Sequence, residues 1–415
     1  MTATPSLIIT KHEFQAKLRG RPRVVIGHPF VGRGGSESNV MWLIEALKRD
    51  CDVTVVTTGG WDLTALNEFY GTRVQEGEVK VRIAPVPLLA RTLTASALRG
   101  ACYQRFAFQI AGEYDVRISA YNPTDWGLPA VHFIADFTWH RTLREQFDPP
   151  TPGFIYRDSL FRRSYLRIAT AWGRSSGRDV LRDDVVIANS RWTTDRMRKY
   201  CGVDCAAVVY HPVWTKFPDF PWEQKEQAFV MIGRIAPEKR VERAIAILDA
   251  VRRRGHALQF HLCGQIGDDI YGRRIAHLCR ERADWIIVEG QVTGKRKAQI
   301  LAACRFGIQT RSAEPFGISV AEMVKAGAIV FAPNDGGQAE ILDVSDLLFA
   351  DEAEAVEKVQ AVLGGPRLQA SLRTHLANRA AIFSAQRFML GARACIADAV
   401  MAGRNANHAP MAQQS

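Results

Sequence analysis

SAEPFGISVAE, residues 312–322, follows the apolar run FGIQTR and opens a pattern that reads as a helix. Pro315 and Gly317 force a turn between the two, and the backbone amides after the turn begin a helix whose N-terminus attracts negative charge. Glu314 stands at the mouth of that turn and Glu322 lies about one and a half turns into the helix. A carboxylate accepts two hydrogen bonds from neighbouring hydroxyls, so glutamates here suit a ligand that carries vicinal OH groups. Ordinary dipole matching by Glu near a helix start gives the same letters, and both readings stand at this point. A strand, a turn and a helix in direct succession form the unit of a parallel sheet covered on both faces.

That unit recurs on either side. In the first half, RVVIGHPF, DVTVVTT, DVRISAY, AVHFIADF and DVVIANS read as strands, and SESNVMWLIEALKRD and the segment from Trp192 read as helices. Three prolines in VWTKFPDFPWEQKEQA and its neighbourhood, with no clean periodicity, mark a linker near residues 212–228. The pattern then restarts with AFVMIGRI, LQFHLCG, WIIVEG, FGIQTR and AIVFAPN as strands, and Val241, Ala244, Ile245, Leu248 and Val251 give one apolar helix face. The expected division is an N-terminal domain over 1–215, a second over 216–385, a closing helix over 386–404 that packs back on the first domain, and a flexible tail over 405–415.

At 415 residues, with 47% apolar and 23% charged residues, the chain has the composition of a soluble protein of two domains. The first 23 residues lack a long apolar core and a cleavage site, and no run approaches ~18 apolar residues, so neither a secretory signal nor a membrane span is expected. The eight cysteines are irregularly spaced, which fits reduced thiols in the cytoplasm better than a disulfide framework or a zinc site. The formal charge of +11 implies an anionic partner.

Two further stretches bear on that partner. IGRIAPEKR, residues 232–240, places Arg234 just after a strand and Lys239 at a helix start, so two cations and a helix dipole meet on one phosphate-sized spot; a solvated basic loop is the plainer alternative. VGRGGSESNV, residues 31–40, puts Gly34 and Gly35 in a turn from strand to helix, where missing side chains let amides approach a ligand; an ordinary tight turn reads the same way. Glu37 stands three residues after Gly34, which breaks the dinucleotide fingerprint and weakens any dehydrogenase reading.

In combination these stretches resemble the retaining, metal-independent "group 1" glycosyltransferases (glycosyltransferase family 4), which use nucleotide-activated sugars. Gly233, Arg234 and Lys239 match that family's G-R-x-x-x-x-K segment, Glu314 and Glu322 its E-x7-E motif, NDGGQAEIL (334–342) its glycine-glycine-x-x-glutamate segment, and VVIANSRWT (185–193) the end of its first domain. The resemblance implies the GT-B fold: α/β, two Rossmann-like domains with a deep cleft between them, closed by C-terminal helices. It implies Glu314 at the donor sugar, Phe316, Gly317 and Ile318 at the turn whose amides meet sugar hydroxyls or phosphate, Glu322 on the ribose, and Gly34 and Gly35 in donor binding. The stretch NPTDWGLPAVHFIADF resembles the strand after which that family commonly places a histidine; Ala135 stands in its position, and Asp136 or His140 is the candidate substitute.

The implied reaction moves a hexose from a nucleoside-diphosphate sugar to an acceptor hydroxyl of a glycan or lipid-linked glycan, with mannose suggested by a nearer similarity to mannosyltransferases. No cofactor and no metal are expected. Tyr156 to Arg182 holds seven arginines against two aspartates, with Phe161, Tyr165, Ile168 and Trp172 at helical spacing. Such a segment suits an anionic membrane surface, while a core-facing helix with a solvated face is the commoner pattern. The expected location is cytoplasmic, peripheral on the membrane if that segment binds it. The rival functions are a sugar-nucleotide epimerase or hydrolase, and a non-enzymatic basic binder of membrane or nucleic acid; the donor motifs favour the transferase and no nucleic-acid partner.

Overall fold

The computed structural model describes residues 11–18, 20–88, 96–147, 160–173 and 176–408. The chain divides into two compact units. The first runs to Asn189 and takes in Thr193–Pro212 and the chain from Ala385 onward; the second comprises Ser190–Trp192 and Val213–Ser384.

The first unit is built on seven parallel strands: β1 (Arg23–Gly27), β2 (Asp52–Thr57), β3 (Val79–Ile83), β4 (Val116–Ser119), β5 (Val131–Ile134), β6 (Val185–Ala188) and β7 (Ala207–Val208). Their order is β3-β2-β1-β4-β5-β6-β7. The central strands are near-continuous apolar runs because helices cover both faces: all four residues of β5 are buried, as are the last four of β1. Helix Glu37–Leu47 is buried almost all round, and Arg393 of the last helix donates to Ala46 O at 2.7 Å. That last helix, Ala385–His408, continues four residues past the expected end at 404, so residues 405–408 are helical rather than part of a tail. Residues 409–415 lie outside the described residues, as do Tyr156 to Ser159 and Arg174 of the basic segment.

Several buried polar side chains of this unit are paired. His132, fully buried, bridges Ser119 Oγ and Asp184 Oδ2 at 2.9 Å each, and Arg178 closes on Asp184 at 2.8 Å. His211 lies between Asn39 Oδ1 (2.9 Å) and Asn189 Nδ2 (3.3 Å).

His28, just after β1, differs. Its Nδ1 accepts from Phe30 N–H (3.3 Å), whereas its buried Nε2 has no hydrogen-bond partner among the described residues. Burial lowers its pKa from 6.5 to about 4. Between those values the unfolded chain takes up a proton that the folded chain refuses, so this stability is complete above pH ~6.5 and falls by up to about 3 kcal/mol as pH drops toward 4. Urea midpoints at pH 7.5 and pH 4.5 are expected to show that loss in the wild type. His28→Asn, which keeps an acceptor for Phe30, should lack this component; equal pH slopes in both proteins would show that His28 is not its source.

The second unit restarts the pattern with six parallel strands: β8 (Glu226–Ile232), β9 (Gln259–Cys263), β10 (Ile286–Gly290), β11 (Cys304–Ile308), β12 (Ile329–Pro333) and β13 (Leu348–Phe349), in the order β10-β9-β8-β11-β12-β13. Stacked Phe229 and Phe306 (5.0 Å) and Phe331 fill its centre. Helix Val241–Arg253 buries Val241, Ala244, Ile245, Leu248 and Val251, the face anticipated from periodicity. The strand order reverses between β8 and β11, and crevices beyond the carboxyl ends of strands at such a reversal are where open α/β sheets bind ligands.

Candidate functional site

Both stretches singled out in the second half leave that reversal point. After β8, Gly233 N–H extends the ladder by donating to Cys263 O at 3.0 Å, so this amide is committed to the sheet. Pro237 then starts a short 3₁₀ turn, Pro237–Lys239, which Arg240 ends in the left-handed region (φ +49°). After β11, the Thr310 hydroxyl lies 2.9 Å from Lys239 O and 2.8 Å from Arg240 O, which ties one loop to the other.

Glu314 follows Ala313, whose φ of +55° is unfavourable for a residue with a side chain. The main chain of Glu314 is clamped by the loop after β12: it bridges Gly336, and Gly337 N–H donates to Glu314 O at 2.8 Å. Only glycines fit there. A Cβ on Gly336 would lie 2.7 Å from Glu314 O, and one on Gly337 2.3 Å from Pro315 O. Gly317, at φ +99°, then opens helix Ile318–Lys325.

The turn aims the Glu314 carboxylate at two cations. Lys239 Nζ lies 2.7 Å from its Oε2 and Arg311 Nη1 3.6 Å from the same oxygen, with the three side chains 16, 14 and 11% exposed in the order Lys239, Glu314, Arg311. This pair of cations beside a carboxylate, at the mouth of a helix, can receive a phosphate and a polyol together. Arg234 stands apart: it pairs with Glu238 at 2.7 Å and its side chain is 78% exposed.

Glu322, on the same helix, is 6% exposed. Its Oε1 accepts from Lys297 Nζ (2.6 Å) and Thr215 Oγ1 (2.7 Å), and Lys297 sits 6.0 Å over the Trp214 ring. Burial lowers the pKa of neighbouring Lys325, which donates to Val213 O. Phe316 is buried edge-on to Phe383 at 5.8 Å, so its side chain belongs to the core and only its main chain takes part in the turn; Ile318 is half-buried. Arg311, Lys297 and Thr215 escape a reading of the sequence. Arg311 alone carried a signal, three residues before Glu314.

The remaining candidates belong to the first unit. Asp136 is held rather than free: Asn122 Nδ2 (2.8 Å), Thr138 N (3.0 Å) and Thr138 Oγ1 (2.7 Å) converge on Oδ1, and the Tyr121 hydroxyl meets Oδ2 at 3.1 Å. Burial, with Asp136 adjacent, raises the Tyr121 pKa. His140 accepts weakly from Leu143 N–H at its helix start (3.4 Å). Gly34 N–H donates to the Tyr70 hydroxyl (2.9 Å), and a Cβ on Gly34 would lie 2.4 Å from the Glu37 carboxylate. The Glu37 side chain lies beside Gly34, and Gly35 next to it is exposed.

Two Rossmann-like parallel sheets, the second carrying a cation and carboxylate cluster at its reversal point, define a chain of the GT-B class. Residues 212–381 match the family model of the glycosyl transferases group 1. Over 201 residues the chain is 28% identical to the GDP-Man:Man(3)GlcNAc(2)-PP-Dol alpha-1,2-mannosyltransferase of Mus musculus, covering 44% of this chain and 41% of the relative. The chain thus spans about two fifths of the length of that curated relative. Among solved structures it is similar to sucrose-phosphate synthase from Thermosynechococcus elongatus, with TM-score 0.63, 17% identity, and 89% of this chain and 97% of that one covered. It is also similar to HepE of Anabaena solved with UDP and glucose, with TM-score 0.60, 16% identity, and the same shares covered. At such identities the likeness is one of fold.

Proposed function

We propose that this chain is a retaining hexosyltransferase that uses a nucleoside-diphosphate sugar, with mannose the favoured sugar and a glycan or lipid-linked glycan hydroxyl as acceptor. The observation that carries the reading is the Lys239–Glu314–Arg311 cluster at the start of helix Ile318–Lys325, inside the segment that matches the group 1 model. Departure of a nucleoside diphosphate builds negative charge, and fixed cations with helix amides stabilise it without reorganising. Glu314 would sit at the hexose and Glu322 at the ribose, with Gly233, Arg234, Gly317 and Ile318 lining the donor, and Asp136 would be a further catalytic group. The name of the mouse relative supports mannose and a lipid-linked acceptor for this chain.

No helix among the described residues is long and apolar enough to cross a membrane. In helix Leu160–Gly173, Tyr165 accepts from Leu98 N–H and Ala169 is buried, while Arg167 and Trp172 are exposed. The exposed Arg167 and Trp172 support peripheral contact with anionic lipid at the cytoplasmic face.

A thermal-shift panel with GDP, UDP and ADP sugars, followed by release of the nucleoside diphosphate, tests the reading. The donor that raises the melting temperature is the one expected to turn over. Activity should persist in excess EDTA, because Lys239 and Arg311 would do the work of a divalent cation. Complete loss with EDTA, restored by Mg²⁺ or Mn²⁺, would mean that carboxylates hold a required metal.

A further inference from the structure

Ser190, Arg191 and Trp192 continue the chain from β6, yet they pack as part of the second unit. There the fully buried Ser190 hydroxyl donates to Pro315 O at 2.6 Å. The Trp192 indole N–H donates to Asp335 Oδ1 at 2.7 Å, and the Trp192 main-chain N–H donates to Glu340 Oε1 at 2.8 Å. These contacts fall on the two loops that meet at Glu314. Pro315 follows Glu314 directly, and Asp335 precedes Gly336, which bridges the Glu314 main chain. Gln338, fully buried, joins the same loops by donating to Arg311 O (2.8 Å) and Asp335 O (3.2 Å).

We propose that Ser190–Trp192 is a brace for the Glu314 turn, with Trp192 as the positioning residue. Trp192 holds Asp335, Asp335 fixes the main chain of Gly336 and Gly337, and that main chain keeps Glu314 beside Lys239 and Arg311. The turn needs such support because Ala313 is in the left-handed region and Gly336 and Gly337 have no side chains to anchor them. A group displaced by ~1 Å can lose on the order of 10²-fold in rate, so holding the turn matters to turnover more than to affinity. The effect on turnover rests on the transferase reading; the effect on the turn does not.

Trp192→Phe keeps an aromatic ring at the position but removes the indole N–H together with part of the ring. Hydrogen exchange on the full chain should show the amides of 312–317 and 335–338 opening ~10-fold more often in this variant, with helix Val241–Arg253 unchanged. With the donor found for the wild type, kcat should fall ~10-fold, while the affinity for its nucleoside diphosphate, by calorimetry, stays within about twofold. Asp335→Ala should reproduce both effects and carries the test if Trp192→Phe fails to fold; the double variant should be no worse than either single one. Unaltered exchange at 312–317 in the folded variants overturns the brace, and nucleoside-diphosphate affinity falling in step with kcat overturns the positioning role. A wild type that transfers no sugar sinks the transferase reading alone, since the exchange measurement stands without it.

Discussion

Lys239→Ala is expected to lower turnover by ~10²-fold or more with the fold intact, the scale of losing one donor to a developing charge. Lys239 ends a short turn and its side chain is partly exposed, so no core is opened by truncating it. What is lost is the closest cation to Glu314, at 2.7 Å, with Arg311 left at 3.6 Å. The carboxylate is then less fully compensated in a mostly buried place, which would add to the loss if, as proposed, charge builds up on a departing diphosphate beside it. Arg234→Ala should lower turnover as well, but through the phosphate alone, since Arg234 pairs with Glu238 and has no part in the Glu314 cluster. Rates of nucleoside-diphosphate release, with circular dichroism to check folding, decide the matter. Unchanged turnover in both variants would remove the phosphate-cradle assignment.

Much of this arrangement was legible in the chain because the central strands of a doubly covered parallel sheet must be apolar throughout. RVVIG and AVHFI announce themselves for that reason, and so does the apolar face of Val241–Arg253. Edge strands obey a weaker rule. β3 reads VKVRI, with Lys80 exposed and Arg82 half-buried at the margin of the sheet, and β13 is only two residues long; neither has a run to detect. The site was legible to the same degree. Turn residues such as Pro315, Gly317, Gly336 and Gly337 carry their geometry in their chemistry, so the loops around Glu314 could be placed. Long-range pairings carry no such local mark. Lys297 reaches Glu322 across 25 residues and Thr215 across 107, and nothing in the letters around either position points to the other.

Glu314 and Glu322 share one helix but should fail in different ways. Glu322 is nearly buried, fixed through Oε1 by Lys297 and Thr215, and assigned to the ribose, a part of the donor that does not change during reaction. An interaction equal in ground and transition states lowers KM without raising kcat, so Glu322→Ala should chiefly raise the donor KM. The same change leaves Lys297 without its carboxylate, so a lower melting temperature should accompany it. In the proposed reading Glu314 would face the reacting end. Glu314→Gln keeps the shape of the side chain and an acceptor for Lys239 but removes the charge, at the place where charge changes as the glycosidic bond breaks. Its kcat should therefore fall far more than its KM changes, and its melting temperature should move less than that of Glu322→Ala, since the amide still fills the turn clamped by Gly336 and Gly337. Steady-state kinetics on both variants, with thermal melts alongside, separate the roles. Should both substitutions change only the melting temperature, the two glutamates would be pairing with Lys239 and Lys297 for stability alone, and SAEPFGISVAE would be a structural turn rather than a donor site.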